Sequence, residues 1–332
     1  MTVRWDLVPI ALVAAWLLGY VARWLAPRVG LMDRPDGDLK PHAQPVPLLG
    51  GLAIVGGMLA GMAARGFGPT GPQEALARWG TVLALLLAFL LGLVDDRRGV
   101  PPRLRLAAEA ALGALVAWAL PAAALPGAIL EFLVALLLFV AVLNAVNMVD
   151  GIDGLAASLA VVSACGIAMV GYGGRGLVVV LITMGAALGF LFHNWPPARL
   201  FLGDSGAYAL GTALAVSILT HGRTPQGLLG GLTCLGLIAM DLGLAILRRG
   251  FGGAPLMGGD RMHFYDQLMR RGLGAKATLL WCLVLQAGFV IVGVGIDRIP
   301  LSKVSALVFA LFWSGVAAVL ALTGFVRSKE TA

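Results

Sequence analysis

Charge is scarce in this 332-residue chain: 12% of it is Asp, Glu, Lys or Arg, against 59% hydrophobic residues. So little polar surface excludes a soluble globular protein, whose core could not absorb that much apolar area. Cysteine is nearly absent. Cys165, Cys234 and Cys282 stand singly in apolar segments without ligand spacing, which argues against zinc and disulfides. No polar block is long enough for a separate soluble domain, and the longest weakly apolar stretches, Ala26 to Pro47 and Arg248 to Lys276, are of loop size. A single membrane domain over residues 1–332 is expected. A cleavable leader is not expected, because Leu7 to Leu25 is long enough to remain as a span with only Arg4 as its upstream basic flank. No internal repeat or low-complexity segment interrupts the chain.

What is present is a succession of apolar runs. They lie near 7–25, 48–64, 79–94, 105–120, 129–143, 154–170, 177–192, 205–220, 227–247, 278–296 and 302–326. This predicts an all-α polytopic membrane protein of about eleven transmembrane helices, with its termini on opposite sides. Putting the N-terminus outside leaves seventeen of the 24 basic residues in inner loops or at their edges and seven outside. That asymmetry favours N-out and C-in. The net charge of +7 suits anionic headgroups, and equally an anionic substrate.

The acidic residues follow the same bias, which no topology rule requires. Asp95, Asp96, Asp150, Asp153, Asp204, Asp260 and Asp266 all fall on the predicted inner side. The centre of the set is Asn144-Ala-Val-Asn-Met-Val-Asp-Gly-Ile-Asp-Gly-Leu155. Asn144, Asn147, Asp150 and Asp153 recur every three residues, so one helical face could carry them until the glycines break it. Such groups beside a membrane-length segment cost a few kcal/mol each unless something binds them. They make either a turn at the membrane surface or a site for a cation and a polar substrate.

Other polar groups can each be read plainly. Asp95-Asp96 is a like-charged pair with Arg97 and Arg98 as nearby partners. Asp204, before Ser205 and Gly206, could cap the eighth helix, and a helix N-terminus beside a carboxylate could also hold a metal-bound phosphate. Asp241 reads as an ion-pair partner for Arg248. Phe264, Leu268 and the neighbouring basic residues suit a short amphipathic helix on the membrane. The prolines and glycines after Lys40 and His42 could merely shape a loop and let helices pack closely. Their joint placement on one face points instead to a cytoplasmic active-site cleft.

The ordered set Asp95-Asp96, Asn144-x-x-Asn147-x-x-Asp150-Gly-Ile-Asp153-Gly-Leu and Phe201-Leu-Gly-Asp204-Ser-Gly resembles the polyprenyl-phosphate N-acetylhexosamine-1-phosphate transferases. The Pro45 to Gly51 run is similar to that family's second-span entrance, and the resemblance covers nearly the whole chain. It implies transfer of a sugar-1-phosphate from a UDP-aminosugar to polyprenyl (undecaprenyl) phosphate, releasing UMP and initiating a cell-envelope glycan such as lipopolysaccharide or another polysaccharide. The cofactor implied is Mg²⁺, with Mn²⁺ as the alternative. It further implies a bacterial cytoplasmic membrane, membrane lipid but no nucleic acid as partner, and compatibility with a homodimer. Catalytic roles fall to Asp95, Asp96 and Asp204, with the aspartate pair at the lipid phosphate as base, nucleophile or positioning group. Asp204 and Asn147 are the implied metal ligands. The implied substrate-binding residues are Lys40, Arg105, Asn144, Asp150, Gly151, Asp153, Phe201, Asp260, Arg261 and His263. Of these, Asp153, Gly151 and Phe201 would meet the uracil and Arg105 a phosphate, while the Asp260 to His263 loop would meet the sugar. That loop departs from the family's His-x-His-His pattern, because Tyr265 and Asp266 follow His263.

Rival readings fare worse. A flippase or transporter predicts polar groups through the bilayer depth and inverted repeats, neither of which the chain displays. A CDP-alcohol phosphotransferase would need an arginine near Ala157 and spaced aspartates downstream. Phospho-N-acetylmuramoyl-pentapeptide transfer remains as the alternative within the family. It has no support from the altered histidine motif.

Overall fold

The computed structural model describes residues 4–35, 44–66, 71–120, 127–171, 176–221, 224–252 and 262–326. Helices dominate them. In chain order they are α1 (Leu7–Val29), α2 (Gly50–Arg65), α3 (Pro72–Arg98), α4 (Pro102–Ala119), α5 (Ala128–Met148), α6 (Leu155–Met169), α7 (Leu177–Asn194), α8 (Gly203–His221), α9 (Pro225–Thr233), α10 (Gly236–Gly252), α11 (Phe264–Arg270), α12 (Ala275–Asp297) and α13 (Ser302–Leu322). Among the described residues six helices are long and apolar enough to cross a membrane, or seven if the bent α9–α10 pair counts as one span. The all-α membrane class is therefore as expected, and each predicted apolar segment coincides with a helix or, for the ninth, with two.

One segment departs from expectation. The ninth, read as a single helix, breaks between Thr233 and Gly236 with a 77° bend. A break inside an apolar bundle exposes backbone groups that need partners. Gln286 of α12 supplies them: its Oε1 accepts from Leu237 N at 2.9 Å, and its Nε2 donates to Cys234 O at 2.6 Å and Ser163 Oγ at 2.8 Å. Gly236 makes the corner possible, since a Cβ there would run into the Phe289 ring.

Small residues let the remaining helices approach closely. A side chain at Gly185 or Gly189 of α7 would strike the backbone carbonyls of Val8 and Leu12 on α1. Gly92 of α3 likewise sits directly against the backbone of Asp204 and Ser205. α8 is the hub, buried along its length from Ala207 to Leu219. A two-residue antiparallel pair, β1 (Met32–Asp33) with β2 (Val46–Pro47), leads into α2. The chain there is held to the α7–α8 connection, with Phe201 N donating to Pro47 O and Gly50 N to Phe201 O, both at 2.9 Å.

Candidate active site

Consecutive antiparallel helices share their ends, and this places the polar motifs together. The end of α3, the start of α4, the end of α5, the start of α6, the end of α7 and the start of α8 carry all three motifs. The decisive contact lies between α5 and α8: Asn147 Nδ2 donates to Asp204 Oδ1 at 2.5 Å, across 57 residues of sequence. Asp96, at the end of α3, joins them. Its Oδ1 accepts from Asp204 N at 2.8 Å and its Oδ2 from Ser205 N at 3.1 Å.

Asp96 thus does for α8 what a side-chain cap does, from a different helix. This corrects the expectation that Asp204 is itself the cap. It also takes up two of the N–H groups that a free helix terminus would have offered to a phosphate. Gly203, at φ +70°, makes the approach possible: a Cβ there would meet both Asp96 carboxylate oxygens at 2.9 Å.

Asp95 faces the other way. Its Oδ1 accepts from Val100 N at 2.7 Å, and its Oδ2 accepts from Tyr208 Oη at 3.1 Å and lies 3.4 Å from Arg105 Nη1. The expected partners were Arg97 and Arg98; both are exposed, and the nearby guanidinium is that of Arg105. Neighbouring helix positions point about 100° apart, so the two carboxylates serve different sets of donors. Asn144 donates to Glu109 Oε2 at 2.5 Å and to Val140 O at 2.9 Å. Tyr208 and Glu109, both fully buried, are site residues that sequence reasoning missed. A signal existed for Glu109, a carboxylate four residues beyond Arg105 inside an apolar run, but Tyr208 gave none.

The turn between α5 and α6 carries the rest of the central motif. Asp153 Oδ2 accepts from Ala198 N at 2.9 Å, and Asn194 Oδ1 from Gly154 N at 3.0 Å, which ties the turn to the α7–α8 connection. Asp150 lies in this turn with its carboxyl pushed up to about 8, first by burial and then by the charges of Asp204, Asp96 and Asp153. Tyr265 of α11 covers Gly151, where a Cβ would collide with its ring, and its hydroxyl stands 3.4 Å from Met148 O. His263 is buried beside it, ring stacked on Tyr265 at 5.6 Å, with Nδ1 2.7 Å from Asp241 Oδ2. Asp241 Oδ1 also accepts from Phe264 N at 2.7 Å. Asp241 therefore anchors the start of α11, where pairing with Arg248 was expected. α11 itself is the short helix anticipated, but it is packed into the protein through Phe264, Tyr265 and Gln267. Lys40, His42, Asp260 and Arg261 lie outside the described residues.

Whether a divalent cation fits can be judged from the side chains. Among the described residues no three His, Cys, Asp or Glu groups form a ready ligand set. Asp204 and Asn147 converge, however, and Asp150 feels the charges of Asp204 and Asp96. One carboxylate and one amide suit Mg²⁺, which keeps several waters and takes further ligands from substrate phosphates. Half a turn of the Asn147 amide presents its oxygen at the same point. The residues fit the ion.

Comparison with known proteins points to one family. The family model described as glycosyl transferase family 4 matches residues 78–222, the stretch from within α3 through α8. The chain is 30% identical to the decaprenyl-phosphate N-acetylglucosaminephosphotransferase of Mycobacterium tuberculosis, over 96% of this chain and 89% of that protein. It is 27% identical to a probable undecaprenyl-phosphate N-acetylglucosaminyl 1-phosphate transferase of Bacillus subtilis, over 85% and 81%. A phospho-N-acetylmuramoyl-pentapeptide-transferase of Picosynechococcus is 30% identical over 70% of each chain.

Proposed function

The chain belongs to the polyprenyl-phosphate N-acetylhexosamine-1-phosphate transferases of glycosyl transferase family 4, and from that premise we propose the reaction it performs. It transfers N-acetylglucosamine-1-phosphate from the UDP-sugar to a polyprenyl phosphate, giving the lipid diphosphate sugar and UMP. An oxygen of the lipid phosphate bonds to the sugar-bearing phosphorus, and the bond from that phosphorus to the bridging oxygen of UMP breaks. The observation that carries the reading is the Asn147–Asp204 contact with Asp96 on the adjacent N–H, three motifs around one point.

Joining a phosphate to a diphosphate brings several negative charges together, so positioning and charge neutralisation are the main requirements. Bound Mg²⁺ would neutralise phosphate charge there, with Asp204 and Asn147 as its protein ligands. Arg105 adds a fixed positive charge at the same end of the bundle, held beside Asp95. Asp96 keeps the first turn of α8, and with it Asp204, in place. In this reading Asp153, Gly151 and Phe201 lie toward the nucleotide, and α11 with His263 toward the sugar. Alignment of two phosphates can lower a barrier by roughly 7–11 kcal/mol without covalent help from the protein.

The setting follows from the acceptor, whose tail stays in the bilayer while the nucleotide sugar stays out. We place the site at the cytoplasmic face of a bacterial inner membrane, with the N-terminus outside and about eleven crossings. The excess of basic residues on that side supports this. Purified protein given labelled UDP-N-acetylglucosamine, undecaprenyl phosphate and Mg²⁺ is expected to form labelled lipid and UMP. Labelling from UDP-N-acetylmuramoyl-pentapeptide instead would move the assignment to the alternative within the family.

A further inference from the structure

Glu109 has no part in the reaction described so far, yet it is 0% exposed in the middle of an apolar helix. A carboxylate in such a place is costly unless partners compensate it. Its two oxygens face two different residues of the candidate site. Oε2 accepts from Asn144 of α5 at 2.5 Å; Oε1 makes no hydrogen bond among the described residues and lies 3.8 Å from Arg105 Nε.

Arg105 is therefore flanked by two acids, Glu109 at its Nε edge and Asp95 at Nη1. Among the described residues Nη2 makes no hydrogen bond or ion pair, on a side chain that is 29% exposed. A guanidinium is planar and permanently charged, and its value in phosphate recognition depends on the direction of its fork. Resting on the transferase reading above, we propose that Glu109 is a positioning residue that aims Arg105, turning its free edge toward the phosphate monoester of the lipid acceptor. The same carboxylate fixes Asn144, one turn before Asn147, so a single buried group registers the phosphate-facing cation against the helix that carries the metal ligand.

The experiment compares Glu109→Gln, Arg105→Ala and the double variant with the unaltered protein. It reads transfer kinetics against undecaprenyl phosphate at saturating UDP-N-acetylglucosamine, and thermal-shift binding of undecaprenyl phosphate without donor. Glu109→Gln keeps volume and an acceptor for Asn144 but removes the charge facing Arg105. The expected result is a folded protein with a KM for the lipid phosphate raised roughly tenfold and kcat within about twofold. In the Arg105→Ala background the same change is expected to have no further effect. An unchanged KM, or the same loss with and without Arg105, would overturn the proposal. Should Glu109→Gln not fold, Glu109→Asp takes its place, with a smaller loss that again vanishes in the Arg105→Ala background. A protein that binds the lipid phosphate with the expected coupling but transfers nothing sinks the transferase reading alone. One that neither binds nor transfers sinks both.

Discussion

Asp96 accepts the backbone N–H of Asp204 at 2.8 Å, so a carboxylate from the end of α3 caps the helix that presents the proposed metal ligand. Removing a cap costs about 0.5–2 kcal/mol in soluble proteins. Asp96→Ala is expected to lower the melting temperature and also abolish most transfer, because Asp204 loses its support. Asp96→Asn, which retains an acceptor oxygen, is expected to recover part of the stability. A melting curve for Asp96→Ala identical to that of the unaltered protein would show that the cap contributes nothing.

Asp150 carries a pH prediction. Its carboxyl, pushed up to about 8 in the folded protein, binds a proton more readily there than in the unfolded chain. Stability of the metal-free protein should therefore be highest in acid and decline as the pH rises from the ordinary carboxylate range through about 8. Asp150→Asn is expected to flatten that decline, because it removes the charge crowded by Asp204, Asp96 and Asp153. Thermal unfolding in EDTA between pH 5 and 9 checks this. An equally steep decline in the variant would assign it to another group.

Gln286 separates architecture from chemistry. Gln286→Leu leaves three buried groups at the α9–α10 corner without their partner. Each is expected to cost about 1–3 kcal/mol. The variant should be markedly less stable, yet transfer normally per folded molecule at low temperature. Normal stability would mean that the corner holds itself.

Much of this arrangement is legible in the sequence, for identifiable reasons. Hydropathy locates the helices because lipid demands long apolar runs, and polar groups at their ends stand out against so plain a background. The α9–α10 corner escapes that reading, since Cys234 and Leu235 are as apolar as a continuous helix would be, and its cause, Gln286, lies about fifty residues away. The Asp204 cap escapes for the same reason: capping is usually local, and here it comes from Asp96 across the bundle. Asp241 has Arg248 about two turns on along its helix, but it bonds to His263 and Phe264, because the start of α11 lies against it.

The seat of α11 gives a further prediction. Asp241→Ala removes the acceptor for both His263 Nδ1 and Phe264 N. Backbone amides of α11 are expected to exchange with solvent at least tenfold faster, while those of α3 to α8 stay protected. Unchanged protection of Phe264 to Arg270 would mean that packing alone seats α11.

The most direct test of the central claim is the rate of labelled UMP release, with undecaprenyl phosphate present, as Mg²⁺ is titrated into EDTA-treated protein. The unaltered protein is predicted to be silent without metal and restored by it. Folded Asp204→Ala should stay at least a thousandfold slower at any Mg²⁺ concentration, a loss of about 4 kcal/mol in barrier lowering. Metal-independent release, or near-normal turnover by Asp204→Ala, would contradict the account.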